Sequence, residues 1–195
     1  HPDPMEAVAP FAKAADAPTP IRVSTAVFMT LRNEDPARAF ARMKTVKDSI
    51  DATGEGAHFS WYILSDTNDA DVAAREEDFF ARWKAANGAD ADRLIYRRRT
   101  SNEGYKAGNV RDFCTRWGAQ HEFMLPLDAD SLMDGKAILR MVRIGQAWPK
   151  LGILQSLVVG APSTSAFARI FQFGMRHGMR PYTMGSAWWA GDCGP

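Results

Sequence analysis

The chain has 195 residues, 46% of them hydrophobic and 24% charged, which excludes wholesale disorder and collagen-like structure and suffices for a self-supporting core. With 24 Lys and Arg against 23 Asp and Glu the net charge is +1, so a nucleic-acid binder acting through its whole surface is excluded and any affinity for anions must be local. Two cysteines, Cys114 and Cys193, make no disulfide framework and favour a reducing compartment. No run of about 18 apolar residues offers a membrane span. His1 opens the sequence without a leader-like pattern, and Trp188 and Trp189 stand close to its end. The chain is therefore expected to be a piece of a longer protein.

Residues 1–20 hold five of the 11 prolines and predict a linker or arm; residues 21–195 are expected to form the folded part. Ile21 to Leu31 is a β-branched, apolar run that predicts a buried strand. Asp35 before Pro36 marks a helix start, and Phe40, Met43, Val46 and Ile50 follow at helical spacing. His58 to Ser65 predicts a second strand. A helix with Val72, Phe79, Phe80 and Trp83 follows it and closes at Asn87-Gly88. Arg93 to Arg99 predicts a third strand, and Ala107, Val110, Phe113, Cys114 and Trp117 a third helix. Glu122 to Leu127 predicts a fourth strand running into Asp128-Ala129-Asp130. Ile138, Met141 and Val142 mark a fourth helix. Leu151 to Val159 predicts a fifth strand, and Ser163 to Gly178 a fifth helix with Phe167, Ile170, Phe171 and Met175 turned inward.

This alternation predicts an α/β fold, a mostly parallel sheet with helices on both faces. Ligands of such sheets bind beyond the carboxyl ends of the strands. Asn33 and Glu34 follow the first strand, Asp66 the second, and Lys106 and Asn109 lie in the stretch after the third. Asp128 and Asp130 follow the fourth. Two carboxylates one residue apart at a strand end can face one ion, and such hard oxygen donors suit Mg²⁺ or Mn²⁺, which complete their shell with phosphate oxygens and water. The same acids could instead cap a helix. Arg93, Arg97, Arg98, Arg99, Lys106 and Arg111 form a local cationic stretch, suited either to a diphosphate or to a solvated sheet edge. Gly104 and Gly108 flank Lys106 where a backbone could approach an anion, although the spacing is not that of a P-loop. His58, His121 and His177 have no metal-ligand spacing, and Ser163 to Ser165 lack a nucleophile elbow.

Thr30-Leu31-Arg32-Asn33-Glu34, Asp66, Gly104-Tyr105-Lys106-Ala107-Gly108-Asn109 and Leu127-Asp128-Ala129-Asp130-Ser131 occur in the order used by processive family-two glycosyltransferases of the cellulose-synthase type. Arg32-Asn33-Glu34-Asp35-Pro36, Asn102 to Asn109 and the Trp-Trp-x-Gly-Asp region most resemble the bacterial members that make osmoregulated periplasmic glucans. The resemblance covers roughly residues 21–195. It implies a GT-A-type, Rossmann-like fold truncated on its C-terminal side. It also implies an inverting hexosyltransferase with UDP-glucose as donor and a growing glucan as acceptor. By it, Asn33, Glu34 and Asp66 lie on the nucleotide side, Lys106 and Asn109 near nucleotide and phosphates, and Asp128 and Asp130 on Mg²⁺ or Mn²⁺. The family's later motifs, which include its general base, do not occur before Pro195, and Asp192 lies in the wrong context to serve. No catalytic residue is assigned, and the chain alone is expected to transfer no sugar. The parent protein is expected at the cytoplasmic face of the bacterial inner membrane, attached through parts outside this chain. Two alternatives stay open: a haloacid-dehalogenase-like phosphatase with Asp128 as nucleophile and Asp130 as acid/base, and a non-catalytic nucleotide-sugar-binding domain.

Overall fold

The computed structural model describes residues 12, 15, 17–156 and 158–190. Residues 19–146 form one compact unit, and residues 147–190 belong to a second. In the first, strands β1 (Thr25–Leu31), β2 (Phe59–Ser65), β3 (Leu94–Arg98) and β4 (Phe123–Asp128) alternate with helices α1 (Pro36–Asp51), α2 (Ala70–Ala86), α3 (Tyr105–Trp117) and α4 (Gly135–Ala147). The strand order is β3-β2-β1-β4, and every pairing is parallel. This is the expected Rossmann-like arrangement.

Helices α1 and α2 start where an aspartate side chain satisfies free N–H groups. Asp35 accepts from Ala37 N at the head of α1, and Asp69 accepts from Asp71 N and Val72 N at the head of α2. The central strands β1 and β2 are buried on both faces of the sheet. Val27, Met29, Leu31, Phe59, Trp61 and Ile63 pack with Phe40, Met43, Val46 and Ile50 of α1, Trp83 of α2, and Ile138, Leu139 and Val142 of α4. Ala26, Phe28, Tyr62 and Leu64 face the opposite way, onto Phe113 of α3. The Phe28 and Phe113 ring centroids lie 4.8 Å apart. β4 is an edge strand, paired with β1 alone, which is why it can carry Pro126 without losing a ladder bond from a central position.

The second region departs from expectation. Residues 151–156 and 158–160 form no strand. An apolar run becomes a strand only where another backbone pairs with it, and here Ile153 is 87% exposed, with Val158 and Val159 also open. Helix α5 (Ala166–Ala190) forms and continues past the expected end at Gly178, through Pro181. Phe167, Ile170 and Phe171, expected inward, are exposed, Phe167 to 80%, and Met175 is only partly covered. Residues 191–195, including Asp192 and Cys193, lie outside the described residues, as do the side chains of Trp188 and Trp189.

Candidate functional site at the strand ends

A cavity of about 650 Å³ opens at the carboxyl end of the sheet. It is lined from the β1 end and α1 by Arg32, Glu34, Arg38 and Arg42, and from the β2 end by Asp66. The loop before α3 and its first turns supply Asn102, Tyr105, Lys106 and Asn109, and the β4 end supplies Asp128 and Asp130. Parallel strands all point their carboxyl ends the same way, so side chains as far apart in the sequence as Arg32 and Asp130 converge here. Of the residues expected from the sequence, Glu34, Asp66, Lys106, Asn109, Asp128 and Asp130 meet at this cavity.

Asn33 is absent from the cavity lining. Its backbone takes φ 60°, a left-handed conformation that asparagine tolerates better than most residues. Its N–H donates to Thr67 Oγ1 at 3.0 Å, and its side chain bonds Asn68 Oδ1, Asn68 N and Asp69 N. Asn33 thus laces the first strand-end loop to the second. Thr67 in turn donates to Glu76 Oε1 at 2.6 Å, and Tyr96 donates to Glu76 Oε2 at 3.0 Å. Glu76 is buried with hydroxyl donors on both oxygens, which satisfies its desolvated carboxylate. The Tyr96 hydroxyl is pushed well above its usual range, first by burial and then by the Glu76 charge.

Asp66 is buried and receives a two-pronged bond from Arg99, Nε to Oδ1 at 2.7 Å and Nη2 to Oδ2 at 2.6 Å. That bond holds the Arg99 guanidinium above its ordinary value. Arg99 also donates to the carbonyls of Glu103 and Tyr105 at 3.0 Å, which fixes the loop that delivers Lys106. With the Asn102 amide oriented to satisfy both of its ends, its nitrogen donates to Asp66 Oδ2 and its oxygen accepts from Arg32, each at 2.8 Å.

The cationic stretch after the third strand is dispersed rather than gathered on an anion site. Arg97 is buried beside Asp112, Arg98 faces Glu77, and Arg99 is committed to Asp66; none of the three lines the cavity. Gly104, at φ 69°, precedes the first turn of α3. A Cβ at Gly108 would stand 1.9 Å from the Glu103 carbonyl oxygen. These glycines therefore serve a tight packing of the helix start on its own loop. Asn109 is 1% exposed, and its amide donates to the Leu64 carbonyl at 3.0 Å, tying α3 to β2. Its Oδ1 is buried without a partner.

Lys106 pairs with Asp128 Oδ1, and Asp128 and Asp130 are both exposed. Among the described residues no cluster of three or more His, Cys, Asp or Glu could hold a metal by itself. Two hard carboxylates beside open volume nevertheless fit Mg²⁺ or Mn²⁺, which keep waters and recruit phosphate oxygens instead of demanding a full protein cage. Sequence reasoning missed Arg38 and Arg42, and gave Arg32, Asn102 and Tyr105 no role beyond their place in the motifs. Arg38 and Arg42 stand four apart in the first two turns of α1, directly after a strand, and that spacing on a helix opening at the sheet's carboxyl end was the available signal.

No protein-family profile matches the chain. Curated proteins do. A relative from Caulobacter vibrioides (strain NA1000 / CB15N) is 40% identical over 179 residues, 91% of this chain and 26% of its own length. One from Bradyrhizobium diazoefficiens is 41% identical over 165 residues, 85% of this chain and 22% of its own. One from Shewanella baltica (strain OS155 / ATCC BAA-1091) is 38% identical over 171 residues, 88% and 23%. All three carry one name. The chain is similar to a segment of glucans biosynthesis glucosyltransferase H. It spans about a quarter of the length of these glucosyltransferases.

Proposed function

We propose that this chain is the donor-binding part of an inverting hexosyltransferase that extends a glucan, with UDP-glucose as donor and a glucan hydroxyl as acceptor. The observation that carries the reading is the meeting of Glu34, Asp66, Lys106, Asn109, Asp128 and Asp130 around one strand-end cavity. Similarity to glucosyltransferases named for glucan biosynthesis supports it. Asp128 and Asp130 would hold Mg²⁺ or Mn²⁺. When bound, that ion offsets the charge of the departing diphosphate.

The remaining roles belong to the chain's own side chains. Lys106 pairs with Asp128 in the free protein; with a cation held by Asp128, its ammonium would be free to meet a phosphate. Asp66, immobilised by Arg99 and Asn102, keeps spare lone pairs that can accept from a nucleobase N–H. Asn109 and Asn33 hold the walls and loops in place. In transfer, the acceptor oxygen attacks the anomeric carbon, the bond from that carbon to the diphosphate breaks, and the hydroxyl proton passes to a base. No residue of this chain is assigned that base, so the chain alone binds donor without transferring sugar. Among the described residues no helix is long and apolar enough to cross a membrane. The inner-membrane location proposed for the longer protein therefore rests on its other parts, and fractionation of that protein checks it.

Calorimetric titration of UDP, with and without Mg²⁺, tests the reading. Expected is Mg²⁺-dependent binding that Asp128→Ala and Asp130→Ala both remove. Binding indifferent to Mg²⁺ and to both substitutions, or turnover of an aryl phosphate that requires Asp128, would overturn it.

A further inference from the structure

The two acids of the cavity are held by different means. Asp128 is the last residue of β4, and its backbone lies in register with Thr30 of β1. The sheet fixes it. Asp130 stands two residues further on, outside the ladder. Two hydrogen bonds shape the turn that carries it. Ser131 N donates to the Asp128 carbonyl at 3.0 Å, and Arg42 Nη1 donates to the Ala129 carbonyl at 2.8 Å. Arg42 comes from α1, whose start is capped by Asp35 and whose neighbouring residues Phe40, Met43 and Val46 are in the main core. It is half-buried and lines the cavity itself. A guanidinium on a helix anchored in the core therefore grips the carbonyl of the Ala129–Asp130 peptide, one of the two peptide groups between the two acids.

We infer that Arg42 is a positioning residue for the cation: it fixes the Ala129 peptide so that Asp130 faces the ion held by Asp128. The inference rests on the nucleotide-sugar reading of the cavity. It contradicts the simplest electrostatic expectation. A guanidinium beside two carboxylates repels an incoming cation, so by charge alone its removal should tighten metal binding. If positioning governs, removal weakens it, because outer partners of metal ligands typically contribute about 10–100-fold in affinity.

The test uses the whole chain, with Mn²⁺ followed by its paramagnetic resonance and UDP followed by calorimetry. The variants are Arg42→Ala, Arg42→Met, which keeps the alkyl packing, and Arg42→Lys, which keeps one donor and the charge. Expected for Ala and Met is weakening of Mn²⁺ binding in the presence of UDP by about 10-fold or more, well beyond any loss of metal-free UDP binding, with partial recovery in Arg42→Lys. Tighter Mn²⁺ binding, an unchanged affinity, or equal loss of metal-free and metal-dependent binding would overturn the inference while leaving the cavity reading intact. A wild-type chain whose UDP binding ignores both metal and Asp128→Ala would overturn the two together.

Discussion

Residues 19–146 and helix α5 are built from the same kind of pattern and end differently. In the first, the apolar faces of β1 and β2 meet helices: Phe28 on Phe113, Trp61 in the core with α1. In α5 an equally apolar set, Phe167, Ile170 and Phe171, stays exposed. Periodicity specifies that an element will be two-faced; it does not specify what covers the apolar face. Burial, and with it the energetic weight of each side chain, comes from the partner.

The largest test of that contrast is a pair of truncations followed by urea unfolding. Phe28→Ala should cost about 3–5 kcal/mol, and Phe167→Ala no more than about 0.5 kcal/mol; equal costs would break the comparison. Next in size, Asp66→Ala leaves Arg99 with its main partner gone inside the protein and should cost about 3 kcal/mol. Arg98→Ala, at an exposed pair with Glu77, should change stability by less than about 1 kcal/mol. Glycines sharpen the comparison further. Gly108→Ala drives a methyl into the Glu103 carbonyl and should destabilise by about 1–3 kcal/mol. Gly174→Ala in α5 meets nothing within 4 Å and should stabilise by about 0.4–1 kcal/mol.

The smallest effect is a pH dependence confined to residues 19–146. His121 bonds Ser24 Oγ at 2.6 Å and Tyr62 Oη at 2.8 Å, and burial lowers its pKa from 6.5. The unfolded chain takes up a proton near pH 6.5 that the folded chain resists. Stability should therefore fall as pH drops below that value and level off below the lowered folded pKa. His121→Gln should flatten this slope in denaturation curves taken between pH 7 and pH 5.

Much of the ordered fold was legible because its signals are local. Asp35 before Pro36 caps a helix through its own next residues, and the near-continuous apolar runs of β1 and β2 match strands buried on both faces. Asp66 and Asp128 could be singled out because a carboxylate ending an apolar run is conspicuous. The partners that give these acids their character were not legible. Arg99 reaches Asp66 across 33 positions, and Arg42 reaches Ala129 across 87. An arginine on an early helix turn reads as solvated surface until the sheet brings another strand end beside it. Arg97, Arg98 and Arg99 read as one patch because they are consecutive. Strand geometry sends alternate side chains to opposite faces and separates them. The fifth strand failed for the same reason as the buried face of α5: its apolar residues signal an element but name no neighbour.

The core that β1 divides is lopsided: three helices press on the side of Val27, Met29 and Leu31, and α3 alone on the side of Ala26 and Phe28. A single-residue deletion within β1 would therefore do more than shorten it. A deletion at Ala26, for example, would send Val27, Met29 and Leu31 to the side of α3 and Phe28 to the side of the three helices. The strand is thus intolerant of frame.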